Sequence, residues 1–173
     1  MAISLYDATV ASYDQILGAA AGFFERGLAH CQENNIDPAD LVAARLFDNM
    51  LPLSFQVVSL AHHSIGAIEG AKAGKFGPPA QAMPADFPAM QQMIATTREA
   101  LKAVTPADLD ALEGKDVTFA IGEFKIPFTA EKFLLSFSLP NFYFHAATAY
   151  DILRTRGVPL GKRDFMGQMR VKA

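Results

Sequence analysis

The sequence predicts an all-α protein, a four-helix bundle with a small β-hairpin inserted before the last helix. Three observations predict it. Apolar residues recur every three or four positions along four long segments, one short stretch alternates with period two, and nothing remains to build a second domain. The 173 residues therefore read as one domain, 1–173, long enough to bury a sizeable core.

The first helix carries Ile3, Tyr6, Val10, Tyr13, Leu17, Ala20, Phe24, Leu28 and Cys31 on one stripe. Ser4 with Asp7 marks its start and Asn34-Asn35 its stop. Asp37-Pro38-Ala39-Asp40 opens the second helix with an N-cap, a proline at the first helical position and an acid in the first turn. That helix is expected to run to about Ala73, with Phe47, Leu51, Phe55, Val58, His62 and Ile65 on one face and a bend at Pro52.

Gly74-Lys75-Phe76-Gly77-Pro78-Pro79 ends it in a loop rich in breakers. A third helix carries Phe87, Met90, Ile94, Thr97 and Leu101, and Thr105-Pro106-Ala107-Asp108 opens a short turn. Val117, Phe119 and Ile121, then Phe124, Ile126 and Phe128, alternate with other residues on either side of Gly122-Glu123. They read as a hairpin with glycine at the first turn position and Pro127 at an edge. The last helix starts at Thr129 and carries Leu134, Phe137, Asn141, His145, Thr148 and Ile152. It stops at Gly157, with Pro159 beyond.

Composition excludes several classes of function. Half the chain is hydrophobic and its formal charge is -3, which argues against disorder and against nucleic acid as a partner. One cysteine, Cys31 on the core stripe, leaves no internal disulfide and no cysteine-based zinc cluster. The Met1–Asp7 segment lacks the basic start and apolar run of a signal peptide. Every apolar stretch is broken before it could span a bilayer, so a cytoplasmic protein is expected.

Pro140-Asn141-Phe142-Tyr143-Phe144-His145 holds the most pointed chemistry. Asn141 and His145 lie one turn apart on the apolar face, since four residues overshoot a helical turn by only about 40°. His62 points inward from the second helix, whereas His63, rotated by about 100°, is expected at the surface together with His30. Three inward polar groups could converge in the bundle. Two readings stand side by side: a ligand site, and hydrogen-bonded residues that fix packing. As a site, His62, Asn141 and His145 would suit zinc, nickel or iron, with water or a carboxylate completing the shell. Pro140 cannot donate to the Ser136 carbonyl, and Asn141 could serve that defect through its amide. Aromatic residues on every side of this turn point to cover from the tail or a second subunit.

The same stretch resembles an uncharacterised bacterial and fungal domain-of-unknown-function family. The likeness extends through Ala149-Tyr150, Ile152-Leu153-Arg154, Gly157–Lys162 and Asp164-Phe165. It also takes in Ser4–Asp7, Ile36–Pro38, Ala44–Leu46 and Met50–Leu53. That family is similar to the DinB/YfiT-like superfamily of four-helix bundles, which is associated with metal-dependent activities. The resemblance implies one metal-binding His from the second helix and a pair four residues apart on the last. Here His62 and His145 match, and Asn141 stands where the first His of the pair is expected. It also implies a homodimer. The readings that follow are a divalent-metal-dependent enzyme with a degenerate His62/Asn141/His145 site, or a non-catalytic bundle that binds a small molecule or a partner where the metal has been lost.

Overall fold

The computed structural model describes residues 3–172. Ser4 caps α1 (Leu5–Ala8) by accepting from the Asp7 amide at 3.0 Å, and α2 (Val10–Asn34) follows after Thr9. Asn35, with φ 53°, closes α2 as the sequence suggests. Val10, Tyr13, Leu17, Ala20, Phe24 and Cys31 are buried along it.

The second long helix is three pieces. Asp37 caps α3 (Pro38–Val42) through the Ala39 amide at 2.9 Å, but α3 lasts barely more than a turn. The chain then loops to α4 (Leu53–His62), and α5 (Ile65–Ala73) follows a break at His63 and Ser64. Pro52 is not a bend inside a helix. It precedes α4, because a proline pushes the residue before it out of helical conformation. Phe47 and Leu51 consequently lie in the loop and are exposed, not on the buried face expected of them.

β1 (Lys75–Phe76) pairs in parallel with β2 (Asp116–Ile121), which pairs antiparallel with β3 (Phe124–Thr129). The hairpin is the expected one. Ile121 opposes Phe124 across Gly122-Glu123, Gly122 has φ +56°, and Pro127 lies on the outer strand of the sheet. β1 lies in the stretch expected to be plain loop, being too short to show any alternation.

Asp86 caps α6 (Phe87–Lys102), and Phe87, Met90, Ile94, Thr97 and Leu101 are all buried, the predicted stripe. Thr105 and Asp108 cap each other's backbone amides at the start of α7 (Pro106–Asp110). α8 (Ala130–Lys132) runs into a π-helical segment, Phe133–Ser138, and then α9 (Leu139–Thr155). A short α10 (Lys162–Met166) packs on α2. The long helices pack in pairs, α2 on α6 and α9, α4 on α6 and α9. The molecule is thus mostly helical with a small three-stranded sheet.

The π-helical segment decides which face of α9 is inside. The Leu139 amide bonds five residues back to Leu134, so one extra residue is wound into the turn. Beyond it the buried stripe is Ser138, Phe142, Ala146, Ala149 and Leu153. It lies one residue away from Phe137, Asn141 and His145 of the stripe read off the sequence, which are half-buried at its margin, whereas Thr148 and Ile152 further along are buried as expected. The Asn141 side-chain amide donates to the Phe137 carbonyl at 2.7 Å, not to the Ser136 carbonyl expected as its partner.

Candidate functional site

The break between α4 and α5 faces the end of the π-helical segment. Ser64 helps to make the break: its hydroxyl donates to the Leu60 carbonyl at 2.6 Å, a local bond that competes with helix continuation. The Ser138 hydroxyl donates to the His63 carbonyl at 2.9 Å, joining the two irregular turns. Ser138→Ala removes that donor from a buried carbonyl, and urea unfolding is expected to show a loss of about 1–3 kcal/mol. An unchanged midpoint would refute this role.

Around that junction three imidazoles gather. The ring of His63 lies 5.2 Å from that of His62 and 5.9 Å from that of His145, the latter pair nearly parallel at 14°. His63, expected at the surface, is only 8% exposed. The expectation fails because α4 ends at His62, so the regular helical rotation no longer places the next side chain. Phe76 of β1 stacks on His62 at 4.2 Å, and Phe133 and Phe137 extend the aromatic cover. This cover needs Gly70: a Cβ there would sit 2.7 Å from the Phe76 ring.

Hydrogen bonds fix two of the tautomers. Gln56 donates its amide nitrogen to the Leu51 carbonyl at 2.8 Å, so its Oε1 is the atom 2.7 Å from His145 Nδ1. An amide oxygen only accepts, so His145 carries its proton on Nδ1 and keeps a lone pair on Nε2. By the same logic His62 donates from Nε2 to the Gly77 carbonyl at 2.7 Å and keeps its lone pair on Nδ1.

Burial lowers the pKa of all three imidazoles. It pushes His63 down to about 3, with the neighbouring His62 and His145 acting the same way, and His145 down to about 4, with His62 contributing. His62 is lowered less simply, because burial is opposed by its bond to Gly77. The cluster is neutral at pH 7.

Tyr13 approaches from α2. Its hydroxyl is fully buried and is the one buried side-chain polar atom without a hydrogen-bond partner among the described residues. Burial raises its pKa, and nearby Ser138 opposes the rise, but the Ser138 proton is directed at His63.

A cavity of about 580 Å³ opens beside His62. The free Nδ1 of His62 lies over Gly66, 3.5 Å from where a Cβ would stand, and both residues line the cavity. Glu69, Lys75, Gln81 and Thr96 supply its polar edge. His145 and His63 do not line it; His145 sits instead beside Phe55 and Phe144.

Of the three residues proposed from sequence to hold a metal, His62 and His145 reach one cluster through His63. Asn141 is tied back to its own helix. Among the described residues no three His, Cys, Asp or Glu side chains are grouped so as to hold an ion. As arranged, this donor set does not fit a divalent metal. Gln56 and Ser138 escaped the sequence reading, since neither polar residue shows its role until α4 and α9 are packed together. His30, half-buried, lies apart from the cluster beside Asn34 at 3.1 Å.

The fold is mostly helical and DinB-like. A crystal structure of a DinB family member protein from Shewanella denitrificans is similar to this chain with a TM-score of 0.79 and 25% identity, covering 98% of this chain and 95% of that one. The chain belongs to the family described as Domain of unknown function (DUF1993), whose model matches residues 5–166. No curated protein matches it. No helix of the described residues is long and apolar enough to cross a membrane.

Proposed function

We propose that this chain is a single-domain, DinB/YfiT-like four-helix bundle that binds a small polar molecule in the cavity beside His62. The observation that carries the reading is the His62 lone pair, held toward Gly66 by the bond between Nε2 and Gly77. A neutral imidazole with a fixed tautomer accepts a hydrogen bond from a ligand, or a proton from it, without first losing one of its own. Lys75, Gln81 and Thr96 can donate to the same ligand, and Glu69 can accept from it.

Ligand-observed NMR with a library of small amides, alcohols and amines tests this. Wild-type protein should bind members of the library. Gly66→Leu, which fills the space over Nδ1, and His62→Ala should both lose them. Identical binding by all three proteins would refute the reading.

A second reading is a divalent-metal enzyme on His62, Asn141 and His145. It is favoured by the lone pairs on His62 and His145, each held by an acceptor on the opposite ring nitrogen, the usual support of a metal-binding histidine. It requires Asn141 to release the Phe137 carbonyl. Equilibrium dialysis of tag-free protein against Zn²⁺, Ni²⁺ and Fe²⁺ distinguishes the two. Stoichiometric uptake abolished by His145→Ala and weakened by Asn141→Ala favours the metal; no uptake leaves the small-molecule reading.

As for partners, the exposed Tyr143 and Phe144 on α9 favour a homodimer, in which a second copy covers them. Sedimentation should then give twice the chain mass, falling to the monomer in Phe144→Lys. A wild-type monomer at all concentrations would rule the dimer out.

A further inference from the structure

A cavity of about 740 Å³ lies away from the histidine cluster. It is a groove between α2 and α6, walled on its third side by the tail from Gly167 to Val171. That wall is anchored. Gln15 donates to the Met166 carbonyl at 2.8 Å, and Arg170 donates to the Asp7 carbonyl at 3.1 Å and to the Ser12 hydroxyl at 3.3 Å. Gly167 makes the approach possible. Its φ is +58°, and a Cβ there would lie 3.0 Å from the Ala19 Cβ.

The charge of this groove runs against that of the chain. Arg98, Lys102 and Arg170 line it against a single carboxylate, Asp14, in a protein whose formal charge is -3. Asp14 engages only the Arg98 Nε, at 2.9 Å, and the two terminal amino groups of Arg98 make no hydrogen bond among the described residues. The guanidinium lies across Gly18, its atoms 3.4–3.6 Å from where a Cβ would stand. A side chain at position 18 would therefore press on it. Lys102 pairs outward with Glu99 at 2.6 Å, at an exposed position where such a pair holds weakly. Tyr6, Val10, Leu101 and Val171 give the groove an apolar flank.

An arginine fork with free donors, a second arginine across the groove and an apolar wall suit one kind of ligand. We propose that this groove binds a small organic anion, a carboxylate or phosphate carried on an apolar body. The proposal is independent of the reading of the His62 cavity. The anion would take the free end of Arg98, with Arg170 and Lys102 adding attraction, while its body packs against Tyr6 and Val171.

Calorimetric titration of the whole chain with benzoate, phenyl phosphate and uncharged benzyl alcohol tests it. At least one anion should bind, its affinity should fall as salt is added, and the alcohol should not bind. Arg98→Gln and Arg170→Gln should each weaken the anion about tenfold, whereas Lys125→Gln, the same charge change on the distant hairpin, should leave it within about twofold. Arg98→Lys keeps the charge but loses the fork, and should still weaken phenyl phosphate even if Arg98→Gln folds poorly. Binding of neither anion up to about 10 mM, or an equal loss in Arg98→Gln and Lys125→Gln, would overturn the proposal.

Discussion

Phe142→Ala should destabilise the protein by about 3–5 kcal/mol, the cost of emptying a fully buried aromatic position. Phe144→Ala, two residues on, should cost little, because that ring is 55% exposed. The contrast follows from the π-helical segment. Phe142 is wholly buried and meets the Tyr13 ring edge-on at 4.8 Å, while Asn141, which the helical period places in the core, is half-buried at the margin. Urea unfolding of both variants checks the register. Similar losses for the two would mean that α9 presents another face to the core.

Acid should destabilise the fold well before its carboxylates are protonated. His63 and His145 have folded pKa values near 3 and 4, against an ordinary value of 6.5. Between those values the unfolded chain binds protons that the folded chain refuses. Stability therefore rises with pH across this window and is lost as the pH falls below 6.5. For the two groups together the loss is roughly 3 kcal/mol between neutral pH and about pH 5. Urea unfolding at the two pH values measures it, and His63→Gln should remove about half the dependence. A midpoint that does not move between them would contradict the buried, neutral cluster.

Much of this fold is legible in the sequence where local chemistry decides. Ser4, Asp37 and Thr105 accept from the amides of the turns they cap, Asn35 and Gly157 close helices with positive φ, and Gly122 turns the hairpin. What is not legible depends on packing. Nothing in Phe133–Ser138 by itself announces that one residue is wound in excess, yet that residue moves Phe142 into the core and Asn141 out of it. The His63–Ser64 break is similar. The histidine pair is plain in the sequence, but a regular helix would separate the two rings, and only the break turns His63 inward.

The candidate site follows the same division. His62 and His145 were identifiable from their period, since each lies on a mostly apolar stripe. Their partners were not, because Gly77 comes from a loop, Gln56 from across the α4–α9 contact, and Ser138 from the irregular turn. The family likeness places attention on Asn141. Its amide instead holds the Phe137 carbonyl, and His63 occupies the ground nearest to His145.

The central claim is that these histidines are neutral and locked in opposite tautomers. Long-range ¹H–¹⁵N correlation of the imidazole rings tests it most directly. At pH 7 His145 should be protonated at Nδ1 and His62 at Nε2, and His63 and His145 should show no titration down to about pH 5. A His145 protonated at Nε2, or either of His63 and His145 titrating near its ordinary value, would contradict it.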